Sequence, residues 1–416
     1  MRTVIVGAGV VGLATAYELL KAGHEVTVLE RDTYGQGPSL GNAALVTGVL
    51  SFPVPAPGTV GTAARSILSG DQAITVRPRV ELGFLTFLAR MAWATAKANF
   101  ALGTVAQDLL TTMVLDDYAE YVADGLVFER HEGGSMHVFD SRASFEAGLA
   151  VFDDFPSIKS RITVLDGAEA VHAVDPNLAP ELSYGYLAPG DLQVEPASLM
   201  RALVEAIAAR GGQLIEHATV IDFVTEAGEV TAVATTNGVY DADQVVIAAG
   251  VASRGLAAKL GCSLPVYSGG GYSIDVHFDD EAAKPRCSVL TDGSHIAVTP
   301  LDWGLRASSG MIIGQPAPTV NAKAAAKLLD DVKATYPGVP LDGAQPAWAG
   351  LRPMSADGVP VVGLVPGWGN AYLATGHAML GLTYAPSTAK VLRSLMEGTA
   401  PAAYAMLSPK RFRWGR

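Results

Sequence analysis

The chain has few charged residues and few cysteines. Only 17% of its 416 residues are Asp, Glu, Lys or Arg and 49% are hydrophobic, a composition that supports a large packed core and excludes a disordered chain. Two cysteines, Cys262 and Cys287, are too few for a disulfide framework or a cysteine-rich metal site. The sequence therefore predicts a compact cytoplasmic protein with two reduced thiols.

Basic charge and long apolar runs are also lacking. The formal net charge is −12 and the isoelectric point is near 5.1, which argues against non-specific nucleic-acid binding. No uninterrupted apolar run reaches about eighteen residues, so no transmembrane helix is expected. The most apolar segment, residues 82–93, predicts either a buried helix or a surface that docks on a partner or on the inner face of the cell membrane.

Glycine is abundant, with 45 residues, and its most informative placement is the G-x-G-x-x-G pattern of Gly7, Gly9 and Gly12. An apolar run precedes the pattern, a helix predicted over residues 11–21 follows it, and a second apolar run ends at Glu30. Gly7 permits a tight turn, Gly9 lets the backbone approach a pyrophosphate, and Gly12 brings helix and strand together. An acid after the second strand accepts hydrogen bonds from a ribose. This register predicts a dinucleotide site.

The later patterns predict further regular elements. Residues 61–125 are typical of helices, and residues 126–195 of short strands and turns with one helix near residues 144–152. Further helices are predicted over residues 197–210 and 322–336, and strands over residues 213–216, 219–225, 229–236 and 244–248. The last strand is fully apolar, as in a central parallel strand. Residues 264–314 alternate like antiparallel strands, with turns predicted at Gly269-Gly270-Gly271 and Asp292-Gly293.

These elements predict a mixed α/β (α+β) protein with two interleaved domains. A discontinuous Rossmann-like nucleotide domain is assigned to residues 1–60, 196–260 and 345–416. A second, substrate-binding domain, built on a mixed or antiparallel sheet with helices, is assigned to residues 61–195 and 261–344. The oligomeric state is not predicted.

Three more blocks accompany the opening glycine turn. Residues 39–44 are similar to S-x-x-N-A/G-G, and residues 245–253 to V-V-x-A-A/T-G-x-W/x-S. Residues 348–363 match W-x-G-x-R-P-x-x-x-D-G-x-P-x-x-G, and residues 375–383 match T-G-H-x-x-x-G-x-T. On these blocks the chain resembles the D-amino-acid oxidase/dehydrogenase superfamily of flavoproteins, over nearly its whole length.

Within that superfamily, the proline-containing residues 51–58, the predicted helices after residue 60 and Gly271-Tyr272-Ser273 resemble bacterial D-amino-acid dehydrogenases of the small-subunit type. The resemblance implies FAD-dependent oxidative deamination of D-amino acids to 2-oxo acids and ammonia. Hydride would pass to flavin N5, and electrons then to a quinone or another acceptor. A D-hydroxyproline or D-proline dehydrogenase, a glycine- or sarcosine-type oxidase that uses O2, and a flavin-carrying subunit of a larger assembly remain open. An NAD-linked dehydrogenase fits only the opening turn.

Three side chains are candidates for the chemistry. The Arg352 guanidinium offers a planar fork that matches a substrate carboxylate, and its structural alternative is a pair with Asp357. Tyr272 either hydrogen-bonds that carboxylate or packs in a strand. His377 occupies a turn before a helix predicted to begin near Ala378. The amino end of that helix would stabilise negative charge on the flavin.

The resemblance also implies cofactor contacts. These are Gly7, Gly9, Val10, Val11, Gly12, Glu30, Arg31, Ser39, Asn42, Ala43, Ala44, Val220, Ala249, Gly250, Gly350, Arg352, Gly376, His377, Met379, Leu380, Gly381, Leu382 and Thr383. Ala44 replaces the usual glycine of its motif. Met379 replaces a second arginine of glycine oxidase-like relatives, which suits a substrate with a larger apolar side chain. Both cysteines lie far upstream of Arg352, so noncovalent FAD is implied. No metal is expected, because the histidines lack metal-ligand spacing.

Overall fold

The computed structural model describes residues 1–49, 51–58 and 75–412. The helices in these residues are α1 (Val10–Lys21), α2 (Leu82–Ala94), α3 (Lys97–Thr111), α4 (Val114–Ala123), α5 (Arg142–Ala150), α6 (Pro156–Lys159), α7 (Ala168–Val174), α8 (Pro196–Ala209), α9 (Ser253–Lys259), α10 (Ala322–Thr335) and α11 (Gly381–Met396). Short 3-10 turns occupy Val151–Asp154, Gly250–Ala252, Ala402–Leu407 and Pro409–Phe412. The helical prediction for residues 61–74 lies outside the described residues.

The strands of the described chain alternate with these helices. They are β1 (Arg2–Val6), β2 (Glu25–Leu29), β3 (Leu45–Val46), β4 (Thr75–Val76), β5 (Arg130–His131), β6 (Ser135–Phe139), β7 (Thr163–Asp166), β8 (Tyr184–Ala188), β9 (Leu192–Val194), β10 (Gln213–Ile215), β11 (Val220–Glu226), β12 (Glu229–Thr235), β13 (Gly238–Asp241), β14 (Gln244–Ile247), β15 (Val266–His277), β16 (Ser288–Thr291), β17 (Ala297–Leu301), β18 (Gly304–Ile313), β19 (Trp348–Ser355), β20 (Val361–Leu364) and β21 (Ala371–Thr375). The predicted mixed α/β fold class is confirmed.

The first large sheet has six strands in the order β10-β2-β1-β14-β21-β20, and only β20 runs antiparallel to its neighbour. The predicted central strand, β14, pairs in parallel with β1 and β21. Ile5 and Val246 face the core formed with α1, α8 and α11, whereas Val4 and Val245 face the core formed with β11, β12 and α9. Because both faces are covered, these strands read as continuous apolar runs.

The second large sheet has nine strands in the order β19-β15-β18-β17-β16-β6-β8-β7, with β4 paired to β18. All its pairs are antiparallel except β16 with β6 and β18 with β4. The predicted turn at Gly269–Gly271 is wrong, because these glycines lie inside the twelve-residue strand β15. Asp292-Gly293 does form the turn before β17. Strand β19, assigned from sequence to the nucleotide domain, belongs to this sheet and pairs with β15.

Helix α2 has both buried and exposed apolar side chains, which correspond to the two alternatives predicted for residues 82–93: a buried helix and a docking surface. Phe84 and Phe87 are fully buried, whereas Leu82, Leu85 and Trp93 are 80%, 57% and 61% exposed. A docking role for the exposed side chains stays a prediction. In the described part of the chain, no helix combines the length and apolarity needed to span a bilayer.

The two cysteines do not form a disulfide, and both are buried. Cys262 lies in the core beneath the six-stranded sheet, and Cys287 lies in the core of the nine-stranded sheet. Burial raises the pKa of the Cys287 thiol to about 12. This thiol therefore stays protonated and unreactive in the folded protein.

We expect Gly12→Ala to destabilise the fold, because a methyl group at this position in α1 would overlap the carbonyl oxygen of Gly7. The expected loss of unfolding free energy is about 3 kcal/mol, from overpacking against main chain that cannot move away. The matched control is Gly255→Ala in α9, where an added methyl group meets nothing within 4 Å. That variant should gain up to about 1 kcal/mol from helix propensity. Denaturant unfolding measures both, and equal effects would contradict the close contact.

Candidate active site

The glycine turn lies between β1 and α1, at the carboxyl edge of the six-stranded sheet. Gly7 has a φ of +107° and its amide donates to the Leu29 carbonyl at 2.8 Å. A Cβ on Gly7 would lie 2.7 Å from the Ala248 carbonyl oxygen. Gly9 is the N-cap of α1, where an added Cβ would meet only the Ser39 hydroxyl. The amino end of α1 therefore lies at this turn, and the backbone amides of a first helical turn are the groups that bind an anion such as a pyrophosphate.

Glu30 lies directly beside this turn. Its Oε2 accepts from the Ala8 amide at 2.8 Å, and its Oε1 accepts from the Asp32 amide at 3.1 Å. Its main-chain carbonyl accepts from the Ala218 amide at 2.7 Å, which brings the start of β11 and Val220 to this corner. Arg31 is different, since its exposed side chain pairs with Asp32 at 2.9 Å.

Residues 39–44, called here the cofactor loop, run from the glycine turn to the second sheet. The Ser39 hydroxyl accepts from the Val10 amide at 3.1 Å, and the Asn42 amide group donates to the Met379 carbonyl at 3.2 Å. Ala44 is fully buried with a φ of +56°. An L residue with a Cβ is strained in this left-handed region, which explains why glycine is usual at this motif position.

The nine-stranded sheet holds the main chain of the cofactor loop. Arg306 in β18 donates from Nη1 to the carbonyls of Leu40 and Asn42, at 2.9 and 3.2 Å. Its Nε and Nη2 donate to the two carboxylate oxygens of Asp275, at 2.7 and 2.9 Å. The Thr299 hydroxyl donates to the Ala43 carbonyl at 2.7 Å. Sequence reasoning missed these residues. Their signal is one acid in β15 and one arginine in β18, strands that otherwise carry no Asp, Glu, Lys or Arg.

Trp348 also contacts the cofactor loop. A Cβ added to Gly41 would overlap the Trp348 ring, and so would a Cβ added to Gly350 two residues further along β19. The indole therefore lies between two glycines, one from the loop and one from the sheet. Gly350, a predicted cofactor contact, serves in this structure to admit that ring.

Arg352 lies on the same face of β19 as Trp348, two positions beyond Gly350. Its guanidinium covers Gly271, where an added Cβ would overlap it, and its Nη1 donates to the Gly310 carbonyl. The predicted alternative partner, Asp357, instead pairs with Arg411 at 2.7 Å. Within the described residues no carboxylate forms an ion pair with Arg352.

Burial lowers the pKa of the Arg352 guanidinium to about 10, which still leaves it charged at neutral pH. A desolvated cation without an acidic partner is costly for a fold to keep. An anionic ligand would remove that cost, and a carboxylate matches the guanidinium fork. Gly271, inside β15, therefore leaves the space that the arginine side chain fills.

Tyr272 follows in β15 and points to the opposite face by strand alternation. Its ring packs with the core that includes Leu328 of α10, and a Cβ on Gly310 would lie 2.6 Å from the ring. Burial raises the pKa of the Tyr272 phenol. The structure thus shows the strand-packing alternative for Tyr272. The Tyr272 phenol still interacts electrostatically with Arg352, and Gly310, which lies against the ring, accepts from that guanidinium through its carbonyl.

The turn of residues 376–380 closes the site from the C-terminal side. The helix predicted to begin near Ala378 begins instead at Gly381, because Ala378 has a φ of +50° and its amide donates to the Pro353 carbonyl at 2.9 Å. The Leu380 amide donates to the His377 carbonyl at 2.8 Å. Two amides of the turn are therefore already bonded within the chain.

The His377 imidazole is only 3% exposed, and its Nε2 lies 3.0 Å from the hydroxyl of Thr388 in α11. Burial lowers the pKa of His377 to about 3, so the ring is neutral at physiological pH. Met379 differs, with 47% of its surface exposed beside the Asn42 amide. This geometry assigns the imidazole to helix packing and leaves the main chain of the turn as the part near the cofactor loop.

The other predicted contacts surround this turn and the glycine turn. Gly250 has a φ of +55°, and its carbonyl accepts from the Thr375 hydroxyl at 2.9 Å. Ala249 lies next to Gly7, where a Cβ would meet the Ala249 Cα at 3.0 Å. The Thr383 hydroxyl bonds the main chain of Leu45 and Thr47 near the cofactor loop. The Leu382 carbonyl accepts from a buried tyrosine of α4.

Among the described residues, one group of metal-type ligands also appears. Ligand atoms of Glu129, His131 and Asp302 lie within 4.8 Å of one another. Asp302 lies far from the other two in sequence, so spacing alone could not reveal the group.

The arrangement combines two functions. Backbone amides, tight glycines and Glu30 form a cradle that fits a dinucleotide at one sheet, and Arg352 presents an unpaired cation on the other sheet. The cofactor loop joins the two. Chemically, such a site can hold a nucleotide cofactor and anchor a small carboxylate near it.

Comparison with known proteins agrees with this geometry. A family model described as FAD dependent oxidoreductase matches residues 2–395. The D-amino acid dehydrogenase of Cereibacter sphaeroides is 32% identical over 414 residues, covering 96% of this chain and 93% of that protein. The L-proline dehydrogenase structure from P. horikoshii has a TM-score of 0.78 at 17% identity, covering 99% of this chain and 97% of its own. The glycine oxidase structure from Geobacillus kaustophilus has a TM-score of 0.76 at 23% identity, covering 99% and 100%.

The buried, neutral His377 predicts a pH-dependent stability. Between pH 6.5 and about 3 the unfolded chain binds a proton at this residue that the folded chain excludes, so unfolding free energy falls as the pH falls. The slope is about 1.4 kcal/mol per pH unit for one proton. His377→Gln keeps a donor for Thr388 and should reduce that slope between pH 6.5 and 4.5, as measured by urea unfolding. An unchanged slope would reject the assigned burial.

Proposed function

Because the chain belongs to the DAO family of FAD-dependent oxidoreductases, we propose that it oxidatively deaminates D-amino acids to 2-oxo acids and ammonia. Membership confirms the resemblance drawn from the four motif blocks. Relatives named D-amino acid dehydrogenase, each near 30% identity over almost the full length, support this choice of substrate class. The solved neighbours support the fold alone.

The observation that carries the proposal is the unpaired Arg352 guanidinium. Its most obvious partner, Asp357, is already neutralised by Arg411. A substrate carboxylate would therefore meet a cation that is desolvated, charged and preoriented by the Gly310 carbonyl. Preorientation lowers the entropy cost of binding, and the two-pronged contact fixes the plane of the substrate carboxylate.

The residues that fit FAD are those of the glycine turn, Glu30, the cofactor loop and the turn before α11. The amides at the start of α1 would hold the pyrophosphate, and the Glu30 carboxylate would accept from the ribose hydroxyls. The bound flavin supplies a two-electron acceptor for the hydride of the α-carbon. The protein binds both molecules and orients them. The imino acid that leaves is hydrolysed by water to the 2-oxo acid and ammonia.

Within this proposal no acid or base residue is needed at the reacting carbon when the amine arrives neutral. Neither Tyr272 nor the His377 imidazole is assigned a proton-transfer step, because the first packs toward α10 and the second bonds Thr388. The exposed Met379 side chain is apolar where a second cation would otherwise recognise a second charge. The proposal therefore favours D-amino acids with uncharged side chains. The proposed electron acceptor is a quinone or another acceptor.

One prediction of the proposed function concerns the carboxylate anchor. Arg352→Met should lower kcat/KM for D-amino acids by about 30-fold to about 4,000-fold, since truncating a buried charge pair costs about 2–5 kcal/mol. Arg352→Lys keeps the charge without the planar fork, so its kcat/KM should lie between the values of the wild type and Arg352→Met. The assay uses purified protein, a dye acceptor and a panel of D- and L-amino acids with D-proline and glycine.

D-amino-acid amides are the matched substrates, because they lack the carboxylate. The wild type and Arg352→Met should oxidise these amides with similar kcat/KM values. Equal losses on acids and amides would reject the anchor role. A panel in which only L-amino acids, glycine or D-proline react would reject the proposed substrate class, and stoichiometric hydrogen peroxide in air would identify an oxidase.

A second prediction concerns Glu30. Glu30→Gln can still accept from the Ala8 amide but has lost the charge that strengthens a ribose hydrogen bond, so the Kd for FAD should rise by about tenfold or more. Asp32→Asn is the matched control, because Asp32 is a neighbouring exposed acid whose side chain contacts only Arg31 in the described chain. Flavin fluorescence quenching measures both. Equal Kd values for the two variants would contradict the ribose contact.

A further inference from the structure

The cofactor loop lies between two parts of the site that are far apart in sequence. At one end Ser39 accepts from the amide of Val10, the first residue of α1. Near its other end Asn42 donates to the Met379 carbonyl, in the turn before α11. A displacement of the residues between Ser39 and Asn42 would therefore move both contacts at once.

Arg306 holds the main chain at that middle section. The carbonyls of Leu40 and Asn42 belong to a loop and not to a strand, so they need donor partners from elsewhere when they leave water. One terminal nitrogen of Arg306 supplies both hydrogen bonds, at 2.9 and 3.2 Å. The residue is 5% exposed and lies in β18, a ten-residue strand inside the nine-stranded sheet. The attachment point is therefore rigid.

Asp275 fixes the other side of the same guanidinium. It accepts from Nε and Nη2 at 2.7 and 2.9 Å, across the β15–β18 pair in which the two residues are direct partners. This bidentate contact leaves Nη1 as the edge that faces the loop. A lysine could not bind Asp275 through two nitrogens and face the loop with a third, because all its donors lie on a single nitrogen.

Thr299 and Arg352 complete the link. Thr299 is the cross-strand partner of Arg306 and holds the next carbonyl of the loop, that of Ala43. Arg352 lies in β19, which pairs with β15, the strand of Asp275. The same sheet therefore carries both the substrate anchor and the attachment of the cofactor loop.

We propose that Arg306, oriented by Asp275 and assisted by Thr299, is a positioning residue that fixes the cofactor loop relative to Arg352. The inference depends on FAD binding as placed in the proposed function. In this proposal Arg306, which lies outside the motif blocks, determines the distance between the bound flavin and the substrate carboxylate. Its effect acts through the main chain of Leu40, Asn42 and Ala43, without contact to substrate.

The test compares FAD binding and stability in three variants of the full chain. Arg306→Met should raise the Kd for FAD by about tenfold or more, because two hydrogen bonds of the loop and the neutraliser of Asp275 are lost together. Thr299→Val removes the hydrogen bond to the Ala43 carbonyl and the one accepted from the Ser288 hydroxyl, without changing charge, and should raise the Kd by about threefold through the lost loop contact. Both should also alter the visible circular dichroism of bound flavin. The Kd of Arg306→Lys for FAD should lie between the values of the wild type and Arg306→Met.

Arg411→Met is the matched control. Arg411 forms a bidentate pair with Asp357 and donates to the carbonyls of Leu407 and Val359, but it does not contact the cofactor loop. It should lower the Tm as Arg306→Met does while leaving the FAD Kd and the flavin spectrum unchanged.

Several outcomes decide the question. Wild-type Kd values and spectra in Arg306→Met and Thr299→Val would overturn the positioning role, and so would an equal rise in Kd for Arg411→Met. If Arg306→Met does not fold, Thr299→Val and Arg306→Lys still give the comparison. Failure of the wild type to bind FAD would instead count against the proposed function, so the two failures are distinct.

Discussion

Hydrogen bonds from rigid strands to the main chain of the cofactor loop are the interaction on which the candidate site depends. The glycine turn and Arg352 lie on different sheets, and neither can define a site without the other. The loop contacts the first through Ser39 and the second sheet through Arg306 and Thr299. Because these bonds are directed at carbonyl groups, they fix position without prescribing the side chains of the loop.

Charge distribution explains why Arg352 is available. Two arginines near the site have bidentate carboxylate partners: Arg306 with Asp275, and Arg411 with Asp357. Both of those acids are consumed, so Arg352 is left with a single main-chain acceptor among the described residues. An unpaired guanidinium in a partly buried site agrees with the ligand anchor proposed above, since a structural ion pair would be closed within the chain.

Short-range patterns predicted the nucleotide cradle well. The glycine turn, α1 and Glu30 follow from spacing within thirty residues, and β14 from its apolar run. Predictions failed where distant contacts override local preference. Gly269–Gly271 read as a turn but lie inside strand β15, because β19 pairs with all three and β18 with the first two, and Arg352 fills the space that a side chain at Gly271 would need. Ala378 reads as a helix start but is held outside α11 by its bond to the Pro353 carbonyl. Arg306 gave almost no sequence signal.

Because both sulfhydryl groups are buried, the rate at which each is chemically labelled reports how often its core opens. Each sits in a different core, one under either large sheet, so a maleimide or disulfide reagent reaches them only when that core opens. Two labelling rates would then report separately on the two halves of the protein. A common rate would mean that the sheets come apart in one cooperative event.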